Sequence, residues 1–418
     1  MDSILRYNSA KEKYAEYGIN TDEAIRVLEE TAISLHCWQG DDVNGFERPD
    51  SKLGGGGIQV TGDYPGKANN LSELRQDLEK TFSLIPGNHR LNLHSIYGDF
   101  GGKSVQRNQI STAHFDSWIS WAKEFQTPLD FNCSCFSHPM ADSGFTLSSK
   151  NEKIRNFWIE HVGQCRQIAS YIGQALNDKC IHNIWIPDGF KDLPADRKNH
   201  REWLKKSLDS IFSVDFSPIH SCDSLESKLF GIGSEAYVVG SHEFYMGYAL
   251  KNDKMICLDM GHFHPTESVA DKISSILLFS PELLLHISRG VRWDSDHVVI
   301  MNDDLKETMA EIVRGNFLDR VHLALDFFDG SMNRIGAWII GTRAVQKSLL
   351  YTLLEPRNKL LIYEEEGNFF ARLALFEEIK TLPFGHVWEY FCEKNNKPNG
   401  KQLIDEIMNY EKKVLRVR

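Results

Sequence analysis

Nowhere in the 418 residues does an apolar run approach the ~18 consecutive residues that a membrane-spanning helix needs. The opening segment, MDSILRYNSAKEKYAEYG, lacks the apolar stretch behind a basic start that marks a secretory leader. A basic surplus is missing too. The 47 Lys and Arg face 58 Asp and Glu, a formal charge of −11, which leaves nothing to neutralise a phosphate backbone and argues against nucleic acid as a partner. There is no disulfide framework either: the eight cysteines are scattered, several inside apolar runs, as expected of thiols in a reducing compartment. These absences lead to the expectation of a soluble, cytoplasmic protein. With 41% hydrophobic and 25% charged residues, the length fits one large domain with extensions, or two domains.

What is present is a regular alternation. Eight short apolar or alternating runs have strand length: ISLHCW from 33, LNLHSIY from 91, LDFNCS from 129, NIWIPDG from 183, LESKLFGIG from 225, ICLDMGHF from 256, LLLHIS from 283 and VHLALDFFD from 321. Helical periodicity separates them, for example Leu74, Leu78, Phe82 and Ile85 up to Pro86-Gly87, and Phe115, Trp118, Ile119, Ala122 and Phe125. The longest pattern, Ile154, Trp158, Cys165, Ile168, Ile172 and Leu176, precedes the fourth run. Eight strands alternating with helices predict an α/β fold, a (β/α)₈ TIM barrel over residues 33 to 355; an open doubly wound sheet has the same alternation. Residues 1 to 32 read as a helical lead-in. Residues 356 to 418 read as a C-terminal helical extension, whose Leu373, Leu375, Phe376, Ile379, Trp388 and Phe391 call for packing on the barrel or on another subunit.

The glycine-rich stretch SKLGGGGIQVTGDYPGKANN, residues 51 to 70, has no GK[ST] after Gly54 to Gly57, which argues against a phosphate cradle and for a βα loop at the rim, able to act as a lid.

Reactive groups crowd the ends of the later runs. Glu226 and Lys228 open the fifth, two apart and so on one face; Asp259 and His262 end the sixth; His286 lies in the seventh; Asp294 and Asp296 follow it; Asp326 and Asp329 close the eighth. Singly, each has a plain structural role: a salt bridge for a strand aspartate, a capping turn for Asp294-Ser295-Asp296, a core position for His286. Seven ligand-type residues converging on four consecutive strands weaken that reading. A carboxylate sunk in ICLDMG or LALDFF costs several kcal/mol unless it is paired, and a metal ion offsets that cost. Oxygen and imidazole donors without thiolate suit Mn²⁺, Co²⁺, Mg²⁺ or Zn²⁺, and the number of ligands points to two ions.

The segments HCWQGDDVNGFE, GDYPGKA, FNCSCFSHP, NIWIPDG, ESKLFGIGSE, SHEFYMGYA, LDMGHFHPTE, VRWDSDHVV and LDFFDGSMNRIGAW resemble those of the L-rhamnose isomerase family over nearly the whole chain. The site is also similar in its logic to that of xylose isomerase. The resemblance implies interconversion of L-rhamnose and L-rhamnulose by a metal-assisted 1,2-hydride shift, two divalent ions (Mn²⁺ foremost) and a homo-tetramer. One ion, structural or substrate-binding, is expected on Glu226, Asp259, His286 and Asp326. The catalytic ion is expected on His262, Asp294 and Asp296, with Asp259 bridging and a metal-bound water carrying the hydroxyl proton. Lys228 is expected to stabilise charge developing on O1, its plain alternative being a salt bridge. Trp38, Trp185 and Phe136 are expected to stack on the sugar, or else to be core; Asp329 is assigned to substrate, and His94 to hydrogen bonding near the ring oxygen.

Two other functions fit parts of the pattern. A metal-dependent hydrolase on the same barrel would explain the His-x-His of GHFH, residues 261 to 264, but such enzymes carry that motif on the first strand. A vestigial sugar-binding protein would tolerate loss of ligands, and none is missing.

Overall fold

The computed structural model describes residues 3–48, 58–292 and 294–418, with the backbone alone for 294–296. Eight parallel strands close into a barrel: β1 Ile33–His36, β2 His89–His94, β3 Leu129–Asn132, β4 Cys180–Ile184, β5 Ser221–Glu226, β6 Met255–Asp259, β7 Leu283–Ile287 and β8 Val321–Leu325. They follow one another in sequence order around the barrel, and β8 pairs with β1 to close it. The expected (β/α)₈ fold is therefore present.

Strands β4 and β5 begin earlier than the apolar runs indicate. Glu226 does not open β5 but ends it, and Lys228 lies beyond the strand. The cause is the character of the barrel interior. Along β5 the alternating Cys222, Ser224 and Glu226 share one face, in register with Ile181 to Asn183 on β4 and Met255 to Cys257 on β6. Interiors of such barrels are mostly branched aliphatics, whereas this one sets a small apolar cluster, Ile181, Met255, Cys257, Leu284 and Ala324, beside many polar side chains. Ser34 Oγ donates to Asp130 Oδ2 (2.7 Å), Arg90 grips Asp130 (2.9 Å), and Ser224 Oγ donates to Asn183 Oδ1 (2.7 Å). Strands lined by such residues have no apolar signature, though Ser34, Asp130, Ser224 and Asn183 find partners on neighbouring or facing strands.

The outer helices start and stop on local chemistry. Asn70 Oδ1 accepts the Glu73 N–H at the start of Leu71–Leu84, and Asn151 caps Glu152–Leu176 in the same way. Gln126 and Asn177, both with positive φ, end their helices in the left-handed conformation. Among the described residues no helix is long and apolar enough to cross a membrane.

Two helices, Ser3–Glu16 and Thr21–Glu30, precede β1. After β8 comes the buried helix Arg334–Leu353, and then helices Arg357–Glu365, Phe369–Glu378, Phe384–Lys394 and Gly400–Lys413. Helix Phe384–Lys394 buries Val387, Trp388 and Phe391, and its Tyr390 stacks on Tyr7 of the first helix at 3.9 Å. The chain ends with Arg418 paired to Asp77 (2.6 Å) on the helix after β1.

Candidate metal centre

Four side chains meet at the C-terminal mouth of the barrel. Glu226 ends β5, Asp259 ends β6, His286 is the fourth residue of β7, and Asp326 follows β8. One ligand atom from each lies within 4.8 Å of the others. His286 Nδ1 is 3.0 Å from Asp326 Oδ2, 3.2 Å from Glu226 Oε2 and 4.0 Å from Asp259 Oδ2. His262, in the loop after β6, brings its Nδ1 to 3.0 Å from Glu226 Oε1.

These contacts are close in distance but poor in direction. Neither ring nitrogen of His286, nor Nδ1 of His262, is aligned for a hydrogen bond, although all three are buried. Orphaned imidazole nitrogens facing three carboxylates in one small space are what a cation would satisfy. The electrostatics agree. Burial opposes ionisation of Glu226, yet His286 and His262 pull its pKa far below the usual carboxylate range. Asp259 goes the other way, up to about 6, because burial is reinforced by Glu226 and Asp326 nearby. His262 is pushed up to about 9: burial lowers it, but Asp259 and Glu226 outweigh that. A divalent ion would take over the role that imidazole protons play among these carboxylates, so the donor set fits such an ion.

Supporting groups hold the carboxylates in place. Asn183 Nδ2 donates to Glu226 Oε2 (2.5 Å), Ser288 Oγ and the Gly261 N–H donate to Asp259 Oδ1 (2.8 and 2.6 Å), and Trp38 Nε1 donates to Asp326 Oδ1 (3.0 Å). Asn183, Ser288 and Gly261 were not foreseen from the sequence. Neutral residues one strand away, or 29 positions along the chain, carry no ligand signature.

Above the cluster opens a cavity of about 360 Å³, within the range of small-ligand sites. Trp38, Phe136, Trp185, His94 and Lys228 line it, as do Glu226, Asp259, His262, His286 and Asp326. Further walls come from Asn132, Phe328, and Ile58, Gln59 and Thr61 of the glycine-rich loop, whose residues 51–57 lie outside the described residues. Lys228 is buried, with Nζ 4.9 Å from the centre of the Trp185 ring. His94 sits edge-on to Trp38 (4.6 Å) and Phe136 (5.4 Å), and burial brings its pKa down to about 3, so the ring is neutral. The Ser95 hydroxyl donates to Ser134 Oγ (2.9 Å), which in turn lies 3.0 Å from His94 Nδ1 and fixes the ring.

Asp329, Asp294 and Asp296 remain from the expected site residues. Asp329 does not line this cavity. Its carboxylate accepts from Ser331 N and Oγ (2.9 and 2.5 Å) and its backbone pairs with the Gln39 amide, so it shapes the turn after β8. The backbone of Asp294–His297 pairs antiparallel with Arg289–Val291 in a ribbon beyond β7, but the side chains of Asp294 and Asp296 lie outside the described residues.

The whole chain, residues 1–418, matches the family described as L-rhamnose isomerase (RhaA). It is 54% identical over 412 residues to the L-rhamnose isomerase of Rhodopirellula baltica, covering 99% of this chain and 96% of that protein. It is 53% identical over 409 residues to that of Salmonella paratyphi B, covering 98% and 97%. Of solved structures, an L-ribulose 3-epimerase overlays on 79% of this chain and 97% of its own, with 9% identity and a TM-score of 0.48. The chain thus belongs to the L-rhamnose isomerase family, and it is a sugar isomerase of the aldose–ketose class.

Proposed function

We propose that this enzyme interconverts L-rhamnose and L-rhamnulose by a 1,2-hydride shift, using two divalent ions, Mn²⁺ foremost. The observation that carries this reading is the convergence of Glu226, Asp259, His286 and Asp326 at the floor of an aromatic-walled cavity. A 1,2-shift needs two adjacent sugar oxygens fixed and one carbonyl polarised, with no external redox partner. Divalent ions bound here supply Lewis acidity to the sugar oxygens and lower the pKa of water in the site.

The protein's own groups divide the remaining work. Glu226, Asp259, His286 and Asp326 would hold one ion, which would supply a binding point for the sugar oxygens. His262, Asp294 and Asp296 would hold the second ion, which would supply Lewis acidity for the shift. Lys228 places a cation near O1, where negative charge grows as the hydride leaves C2. His94, neutral, hydrogen-bonds near the ring oxygen and assists ring opening. Trp38, Phe136 and Trp185 exclude water and cover the apolar C–H faces and the C6 methyl of the sugar. The working unit is a cytoplasmic homo-tetramer.

L-Rhamnose carrying deuterium at C2 tests the reaction. The label is expected on C1 of the L-rhamnulose formed. Loss of label to solvent would replace the hydride shift with an enediol route, and no turnover of L-rhamnose would refute the substrate.

A further inference from the structure

One layer beneath the carboxylates stands a thiol. Cys257 lies on β6 two residues before Asp259, so both side chains point into the barrel. In register it is opposite Glu226 on β5 and Leu284 on β7. It is fully buried, packed with Ile181, Met255, Leu284 and Ala324. The proposed reaction gives it no task.

One ligand atom each from Glu226, Cys257 and His286 lies within 4.8 Å of the others. His286 is 1% exposed and both of its ring nitrogens lack a hydrogen-bond partner, so a buried, unsatisfied donor faces the thiol layer as well as the carboxylates. Around a tetrahedral ion with bonds of 2.0 to 2.3 Å, ligand atoms stand roughly 3.3 to 3.8 Å apart. The three atoms, now within 4.8 Å of one another, need to close by up to about 1 Å to reach that geometry.

We propose that Glu226, Cys257 and His286 form an alternative, softer site that takes a thiophilic divalent ion such as Zn²⁺ or Cd²⁺ in competition with the ion of the upper cluster. The two sets share Glu226 and His286, so they cannot be filled together. Three carboxylates and an imidazole favour a hard ion, whereas one carboxylate, one imidazole and a thiolate favour a soft one. Binding is a ligand exchange without electron transfer: the S–H bond breaks, an S–metal bond forms, and the proton leaves to buffer. The soft ion lies a layer below Asp259 and Asp326, withdrawn from the cavity, and so inhibits. This inference rests on reading the upper cluster as a metal site.

Cd²⁺ titrated into chelator-stripped protein, followed by the ultraviolet thiolate-to-cadmium charge-transfer band, tests it. The wild-type chain is expected to develop the band up to one Cd²⁺ per chain, and excess Mn²⁺ to reverse it. Cys257→Ser and Cys257→Ala, with folding checked by circular dichroism, are expected to lose the band and to bind Cd²⁺ at least about tenfold more weakly. Asp326→Asn is expected to weaken Mn²⁺ binding in calorimetry while keeping the band. No band in the wild type, or a band that persists in both Cys257 variants, overturns the proposal. Failure of the wild type to bind Mn²⁺ would instead count against the upper cluster, and the band would still report on Cys257.

Discussion

Trp38 Nε1 donates to Asp326 Oδ1 across 3.0 Å, joining the end of the first barrel strand to the end of the last. The sequence marks Trp38 as a stacking surface or plain core, yet its indole N–H also fixes the orientation of a proposed metal ligand. Partners of this kind are worth about 10- to 100-fold in metal affinity. Trp38→Phe keeps a ring in the cavity and removes the donor. Calorimetry with Mn²⁺ should show affinity reduced by about tenfold; an unchanged affinity would reduce Trp38 to its stacking role.

Gly231 leaves room for the Lys228 ammonium, and so bears on the role proposed for it. A Cβ there would lie 2.1 Å from Lys228 Nζ and 2.2 Å from its Cε, so alanine must displace the ammonium. Loss of a charge-stabilising donor costs about 10²- to 10³-fold in kcat. Lys228→Met should show a loss of that order, and Gly231→Ala a smaller part of it, with Mn²⁺ affinity retained. If Gly231→Ala turns over L-rhamnose at the wild-type rate, Lys228 does not stabilise O1.

The cavity wall formed by Ile58, Gln59 and Thr61 is anchored by the far end of the chain. Tyr64 N donates to Gly330 O (2.8 Å), Tyr64 OH donates to Glu411 Oε1 (2.9 Å), and Asn333 Nδ2 donates to Glu411 Oε2 (2.6 Å). Glu411→Ala should loosen this wall without touching the proposed metal ligands. KM for the sugar should rise by about three- to tenfold with kcat little changed, a loss of uniform binding. A fall in kcat at constant KM would show that the anchor acts on the reacting atoms instead.

Stability at low pH should depend on Glu282 at the opposite end of the barrel. Its hydrogen bond with His322 (2.8 Å), opposed by burial and aided by Lys179 (2.7 Å), lowers its pKa to about 2. A depressed carboxylate pKa contributes stability that is complete above the unfolded value, ~4.3, and is lost as pH falls toward the folded one. The stability gap between wild type and Glu282→Gln should therefore shrink by about 1 kcal/mol from pH 5 to pH 3, the partial exposure of the pair having been discounted. Urea unfolding at the two pH values measures it. A gap that widens on acidification would contradict the assignment.

The parts of the site that were legible in the sequence were charged residues in apolar company. Asp259 in ICLD and His286 in LLLHI are conspicuous because ionic groups in aliphatic strands need a partner, and both fall in the cluster. Glu226 was equally conspicuous, but its strand was not. Its inward residues are Cys222 and Ser224, so β5 has no aliphatic run to mark its start. Asn183, Ser288 and the Gly261 N–H escaped notice because neutral donors acquire meaning only when the fold brings them to a carboxylate. Cys257 escaped for the opposite reason, since a thiol in an apolar strand is ordinary core. Asp329 shows the limit of proximity in sequence: three residues past Asp326, the chain has turned and its carboxylate serves Ser331.

The central claim is that Glu226, Asp259, His286 and Asp326 hold the ion that positions the sugar. Crystals grown with Mn²⁺ and L-rhamnose, measured for anomalous scattering at the manganese edge, test it most directly. An anomalous peak bonded to these four side chains, with sugar oxygens completing its coordination, is the predicted result. A peak elsewhere, or sugar bound in the cavity with no ion among the four, would contradict it.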